Sequence, residues 1–238
     1  MAFGINERAM PQGRTGSMEL DAGLRKYMLG VYNYMASAVV LTGLVALAVS
    51  QSPYMLNLIF GTPLKWVAIL APLGMVFFLS ARIHKMQAST AQAMFWVYAA
   101  LVGVSLASIF VVYTGESVAR VFFISAGAFA GLSLYGYTTK KDLSGFGTFL
   151  MMGLIGLVIA MVVNIFLAST MMQWIISVVG LLIFAGLTAY DTQQIKMMYY
   201  AGDSSEDAQK KSIMGALRLY LDFLNIFLFL LQFLGNRE

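Results

Sequence analysis

Seven stretches of this chain carry almost no charge and run for at least 18 residues each: about 27–50, 64–81, 91–113, 117–137, 146–168, 172–195 and 213–234. At 1.5 Å per residue, a helix of that length crosses roughly 30 Å of hydrocarbon. The stretches are rich in Leu, Ile, Val, Met, Phe, Ala and Gly and do not alternate apolar with polar, as the strands of a membrane barrel must. Backbone groups in lipid have to pair internally, so the stretches are predicted to be helices.

Composition agrees. Only 11% of the 238 residues are charged, against about 25% in a soluble domain. That deficit excludes a soluble globular enzyme, and 60% hydrophobic content excludes disorder. There is no cysteine, so a disulfide scaffold, a zinc thiolate site and an iron–sulfur site are excluded as well. The single histidine, His84, cannot build a His-based metal site. The class that remains is an all-α polytopic membrane protein.

The second stretch is the shortest and holds Pro72 and Gly74. The segment before it, 51–63, is apolar but broken by Pro53, Gly61 and Pro63, and reads as an interfacial loop. Residues 1–26 read as a polar cytoplasmic tail ahead of a membrane domain over 27–238. No cleavable signal peptide is visible in that tail. Ser17 to Lys26 can form an amphipathic turn with Leu20, Leu24 and Met28 on one face, suited to the membrane surface.

Lys and Arg set the expected orientation. Eleven lie on one side: Arg8, Arg14, Arg25, Lys26, Arg82, Lys85, Lys140, Lys141, Lys196, Lys210 and Lys211. Lys65, Arg120 and Arg237 lie on the other. The N-terminus is therefore expected in the cytoplasm and the C-terminus outside. This bias accounts for the net charge of +4 without a nucleic-acid partner. Gly127 and Gly131 form a GxxxG pair, expected to serve helix packing.

No P-loop, GxSxG, HExxH or paired His/carboxylate motif is present, so no enzymatic activity and no bound cofactor are expected. The ionisable residues inside the stretches are the informative ones, because each is costly in a membrane. They are Arg120, Asp191, Arg218 and Asp222. Arg120 follows Glu116 by four residues, which predicts an i,i+4 pair near the outer interface. Asp191 lies near the end of the sixth stretch. Asp222 lies within the seventh, about 16 Å deep if that helix enters at Lys211 and about 6 Å if it enters at Arg218. The second placement brings the two carboxylates to similar depth on sequential helices.

Arg218, Asp222 and Asn225 fall at i, i+4 and i+7, one stripe expected to face the bundle interior, and Thr188 shares a face with Asp191. Phe223, Ile226, Phe227 and Leu230 lie opposite, suited to lipid or packing. Two carboxylates in a low-dielectric site share one proton, which makes them a proton-sensitive latch between helices. Deprotonated, and helped by Asn225, Thr188 and water, Asp191 and Asp222 would hold calcium weakly, as suits permeation. The bland alternative is a contact that only fixes helix register. An aspartyl-protease dyad fits less well: Tyr190–Asp191 matches its usual context, but Asp222 follows Leu221 instead of a glycine. His84, between Arg82 and Lys85, reads as solvated or interfacial, with pH sensing as the sharper alternative.

The runs SLYGYTTKKDLSGFGTFLMMGLIGLVIAMVVN (133–164), GLTAYDTQQIKMMY (186–199) and ALRLYLDFLNIFLFLLQFLG (216–235) resemble motifs of the Bax inhibitor-1 family, also called the transmembrane Bax-inhibitor-motif family. The run LRKYMLGVYNYM (24–35) is similar to its bacterial branch. The resemblance implies seven helices, six packed around a central seventh. It implies that Asp191 and Asp222 sense pH, with Arg82 switching between closed and open states. It implies a pH-dependent calcium leak of the inner membrane. The bacterial branch adds an alternative: a non-transporting regulator that binds other membrane proteins, such as a membrane-bound ATP-dependent protease, through the tail. Two positions depart from the family pattern. The second stretch has no acidic residue, and Arg218 stands where a neutral residue is often found.

Overall fold

The computed structural model describes residues 12–236, with side chains described from Asp21 on. Much of the polar tail therefore lies outside the described residues. The described chain is helical with no strand. The helices are α1 (Gln12–Ser50), α2 (Pro53–Phe60), α3 (Leu64–Arg82), α4 (Ala88–Leu106), α5 (Ile109–Val112), α6 (Gly115–Thr138), α7 (Ser144–Leu167), α8 (Thr170–Met197) and α9 (Ser205–Leu234).

Seven segments are long and apolar enough to cross a membrane, counting α4 and α5 as one broken span and α2 as none. Segment 51–63, expected as a loop, instead contains the helix α2. Ser52 caps it by accepting from the Met55 amide at 3.3 Å, and Pro53 sits at its start, where no N–H is needed. Its eight residues are too short to cross the membrane.

Pro72 lies inside α3 and donates no backbone bond, so the Ala68 carbonyl one turn earlier loses its helical partner. The Ser105 hydroxyl of α4 donates to that carbonyl, and also to Leu101 O at 3.1 Å. The proline in α3 is thus answered from the neighbouring helix.

α9 begins eight residues earlier than the apolar pattern predicts. Ser204 caps it, accepting from the Asp207 amide at 3.1 Å, with Glu206 and Asp207 at the positive end of the helix dipole. Two thirds of its membrane window is buried, against a third or less for each other span. It packs against α1, α4, α6 and α8. α3 is held mainly by α4, and α7 by α8. The ring around α9 therefore has four close members, where six were expected. α3 and α7 stand outside it because their close partners are α4 and α8.

Phe223, Ile226 and Phe227 lie in the core, not against lipid, because α9 is enclosed on almost every side. Phe95 and Tyr98 of α4 meet the Tyr220 ring edge-on, and Phe129 of α6 meets Phe223.

The GxxxG expectation fails within this chain. α6 packs through Ser117, Val121, Ser125, Phe129, Ser133 and Gly136, and a Cβ at Gly127 or Gly131 would meet nothing within 4 Å. Close packing uses other glycines. A Cβ on Gly136 would collide with the Ala189 carbonyl of α8, and one on Gly147 with the Tyr190 ring.

Arg120 also differs from expectation. Its guanidinium donates to Leu234 O at 3.2 Å, and no Glu116–Arg120 ion pair is found among the described residues. The Asn236 amide donates to Ser117 Oγ at 2.8 Å beside it. The start of α6 is thereby tied to the end of α9, which offers unpaired carbonyls.

Candidate functional site

α8 and α9 are antiparallel neighbours joined by the short segment 198–204. Small residues bring them close. A Cβ on Gly215 of α9 would lie 3.0 Å from Ile195 Cγ2, and one on Gly180 of α8 would strike Phe229. This register sets Asp191 of α8 beside the Arg218–Asp222 turn of α9. Arg218 Nη1 lies 3.7 Å from Asp191 Oδ1. Asp222 is 3% exposed, and its Oδ2 is buried without a hydrogen-bond partner. Asp222 lies one turn beyond Arg218 on the same helix.

The three groups differ in their access to solvent. The Arg218 side chain is 44% exposed, that of Asp191 is 17%, and Asp222 is sealed. A half-exposed cation, a largely covered acid and a buried acid thus stand side by side. An unsatisfied buried carboxylate oxygen is rare, because it forfeits the water it leaves. Such exceptions are found at switches and functional sites.

The stripe of Arg218, Asp222 and Asn225 divides. Asp222 faces inward as expected, Arg218 points outward, and Asn225 spends its amide on Leu221 O of its own helix at 2.8 Å. Thr188 is fully buried and donates to Phe184 O at 2.8 Å. Arg82 ends α3, exposed, with its guanidinium 5.9 Å from the Phe78 ring and no ion pair among the described residues. The cation beside the carboxylates is thus Arg218. His84 is exposed in a single 3-10 turn, Ile83–Lys85.

A cavity of about 470 Å³ opens outside the carboxylates. Arg218 and Leu221 form its inner end, and His84, Asp203, Asp207 and Lys211 line it further out. Lys211 Nζ pairs with Asp203 at 2.6 Å across the mouth. Among the described residues no cluster of three or more His, Asp or Glu side chains converges, so no closed calcium cage is built here.

Sequence reasoning missed the hydroxyl chain behind the site. Tyr32 OH lies 2.7 Å from Ser133 Oγ, which lies 2.9 Å from Thr192 Oγ1, next in sequence to Asp191. It also missed Thr42, which donates to Ala99 O at 2.9 Å and meets Tyr220 OH at 2.7 Å. Thr188 and Thr192 repeat at i, i+4, a spacing that marks a polar stripe on α8. Gln193 holds the loop ahead of α7, accepting from the Leu143 amide at 2.9 Å and donating to Lys141 O at 2.8 Å.

The sequence matches, over residues 24–238, the family described as "Inhibitor of apoptosis-promoting Bax1". A Rickettsia prowazekii protein, RP147, is 49% identical over 218 residues, 92% of each chain. Inner membrane protein YbhL of Escherichia coli K12 is 46% identical over 220 residues, covering 91% of this chain and 94% of YbhL. A Streptococcus pyogenes membrane protein is 35% identical over 222 residues, 92% of this chain and 96% of its own. With seven membrane-length helices and a match that spans nearly its whole length, the chain belongs to the Bax inhibitor-1 family of membrane proteins.

Proposed function

We propose that this protein is a pH-sensitive, calcium-permeable leak channel of the bacterial inner membrane, gated by protonation of the Asp191–Asp222 pair. The observation that carries the reading is Asp222: a buried carboxylate with an oxygen unpartnered among the described residues, one turn beyond the Arg218 that pairs with Asp191, on the most enclosed helix. A shared proton keeps the two carboxylates together and α8 against α9. Its loss leaves two like charges in a poor dielectric, and the helices part. The cavity at Arg218 is the entry, and calcium is cargo held only in passing, since two carboxylates fall short of its preferred six to eight oxygens. The protein acts without a resident cofactor and catalyses no reaction.

The end of the bundle bearing Arg25, Lys26, Arg82, Lys85, Lys140, Lys141, Lys196, Lys210 and Lys211 faces the cytoplasm in this reading, and the C-terminus lies outside. YbhL, by its name an inner membrane protein, supports the location.

The test is calcium entry into indicator-loaded proteoliposomes between about pH 6 and about pH 8, for wild type, Asp191→Asn and Asp222→Asn. The reading expects flux that rises with pH in wild type and loses its pH dependence in both variants. No flux above empty liposomes, with folded and inserted protein, would refute it. That result would favour a regulator that binds a membrane protein such as an ATP-dependent protease through residues 1–26, with the carboxylates fixing register.

A further inference from the structure

We infer that the seam between α1 and α6 is a binding site for an anionic phospholipid, at the basic end of the bundle. α1 packs mainly on α4 and α9, and α6 on α8 and α9, so the two flank the central helix and meet each other at the Tyr32–Ser133 hydrogen bond. A groove of about 680 Å³ remains between them. Its walls are Met28 and Leu29 from α1 and Phe129, Ala130 and Leu134 from α6. Leu134 is 62% exposed and Leu29 51%, so the groove opens sideways, where a membrane supplies hydrocarbon.

The polar groups of the groove are arranged along its length. Arg25 lines the outer end on α1 and enters no ion pair among the described residues. Tyr137 lines the outer end on α6, and Lys196 stands behind it, donating to Tyr137 O at 2.9 Å with its amine 5.0 Å from the ring. Tyr32 and Ser133 close the groove about 10 Å further in along α1. The groove therefore has a cation on one lip, a second behind the other, and an apolar trough between them and the hydroxyls. That order matches a phospholipid, phosphate outward and acyl chain inward. A zwitterionic headgroup brings its own cation to Arg25 and gains less.

The test is native mass spectrometry of the full chain released from mixed vesicles of phosphatidylglycerol and phosphatidylcholine. Wild type is expected to retain phosphatidylglycerol about 5-fold over phosphatidylcholine. Arg25→Gln is expected to bring the ratio to about 1. Ala130→Phe fills the trough and is expected to lower retention of both lipids. Lys65→Gln, at the opposite end of the bundle, is expected to leave the ratio unchanged. Equal retention by wild type, or an undiminished preference in Arg25→Gln, would overturn the inference. So would displacement of the lipid by inorganic phosphate at equal concentration, which would mark a simple anion site. Arg25 is exposed on the surface of α1, so its substitution spares the core and decides the question even if Ala130→Phe fails to fold.

Discussion

Arg218 and Asp191 face each other across α8 and α9 at 3.7 Å, while Asp222, one turn beyond Arg218 on its own helix, is left with an oxygen that nothing answers. Arg218 thus serves the outer acid of the two.

Arg218→Gln tests that division. A half-exposed ion pair contributes at most about 1 kcal/mol, so melting in detergent should barely change. The carboxylates, however, lose the positive charge that competes with a permeant cation. Calcium flux into proteoliposomes should rise about 3- to 10-fold, with the largest gain at the alkaline end. Unchanged flux would separate Arg218 from the ion path.

Ser105→Ala should leave the Ala68 carbonyl, already deprived by Pro72, with no donor in an apolar setting. The cost should be about 1–2 kcal/mol, read as a lower melting temperature. Ser105→Ala combined with Pro72→Ala should recover most of it, because the helix then supplies its own amide. A double variant no better than the single one would show that the hydroxyl serves some other purpose.

Gly136→Ala should be among the most damaging single-methyl changes in the chain. The new carbon meets the Ala189 backbone, which cannot rotate away as a side chain can. Separating α6 from α8 should cost about 2–3 kcal/mol and weaken the Ser133–Thr192 bond. Gly127→Ala, which meets open space, should be neutral within about 0.5 kcal/mol. Equal melting temperatures for the two would contradict the packing described.

Asp142 precedes α7, where the Ser144 hydroxyl and amide hold its carboxyl below the usual carboxylate range. A depressed folded value gives stability that is present above the unfolded value and is lost as pH falls through the folded one. Asp142→Asn should therefore melt slightly below wild type at about pH 6, and the gap should close as the pH is taken to about 2. A gap independent of pH would assign the effect to the loop conformation instead of the charge.

Much of this arrangement was legible in the sequence, because hydrocarbon allows few solutions for an uncharged run of some twenty residues. The seven spans and the two misplaced aspartates follow from cost alone. What was not legible depended on which face of each helix meets a neighbour. Gly127 and Gly131 have the right spacing for packing but lie on the face turned from α8 and α9. The break at Ala107 and Ser108 between α4 and α5 carries neither proline nor glycine at the break itself. Thr42 and Tyr220 are 178 residues apart, and nothing local announces their hydrogen bond. Arg218 shares the i, i+4 spacing of Asp222, but a long side chain at a helix edge reaches the next helix as easily as its own.

The enclosed helix α9 leaves the ribosome after all four of the helices that surround it. The four helices that surround it are made first, with no centre to pack on, and their inward faces must wait in lipid or against one another until residues 205–234 arrive. Asp222 then enters a site already walled by earlier helices. Closure of the bundle and assembly of the carboxylate pair are one event, and a chain cut short anywhere before α9 would lack both.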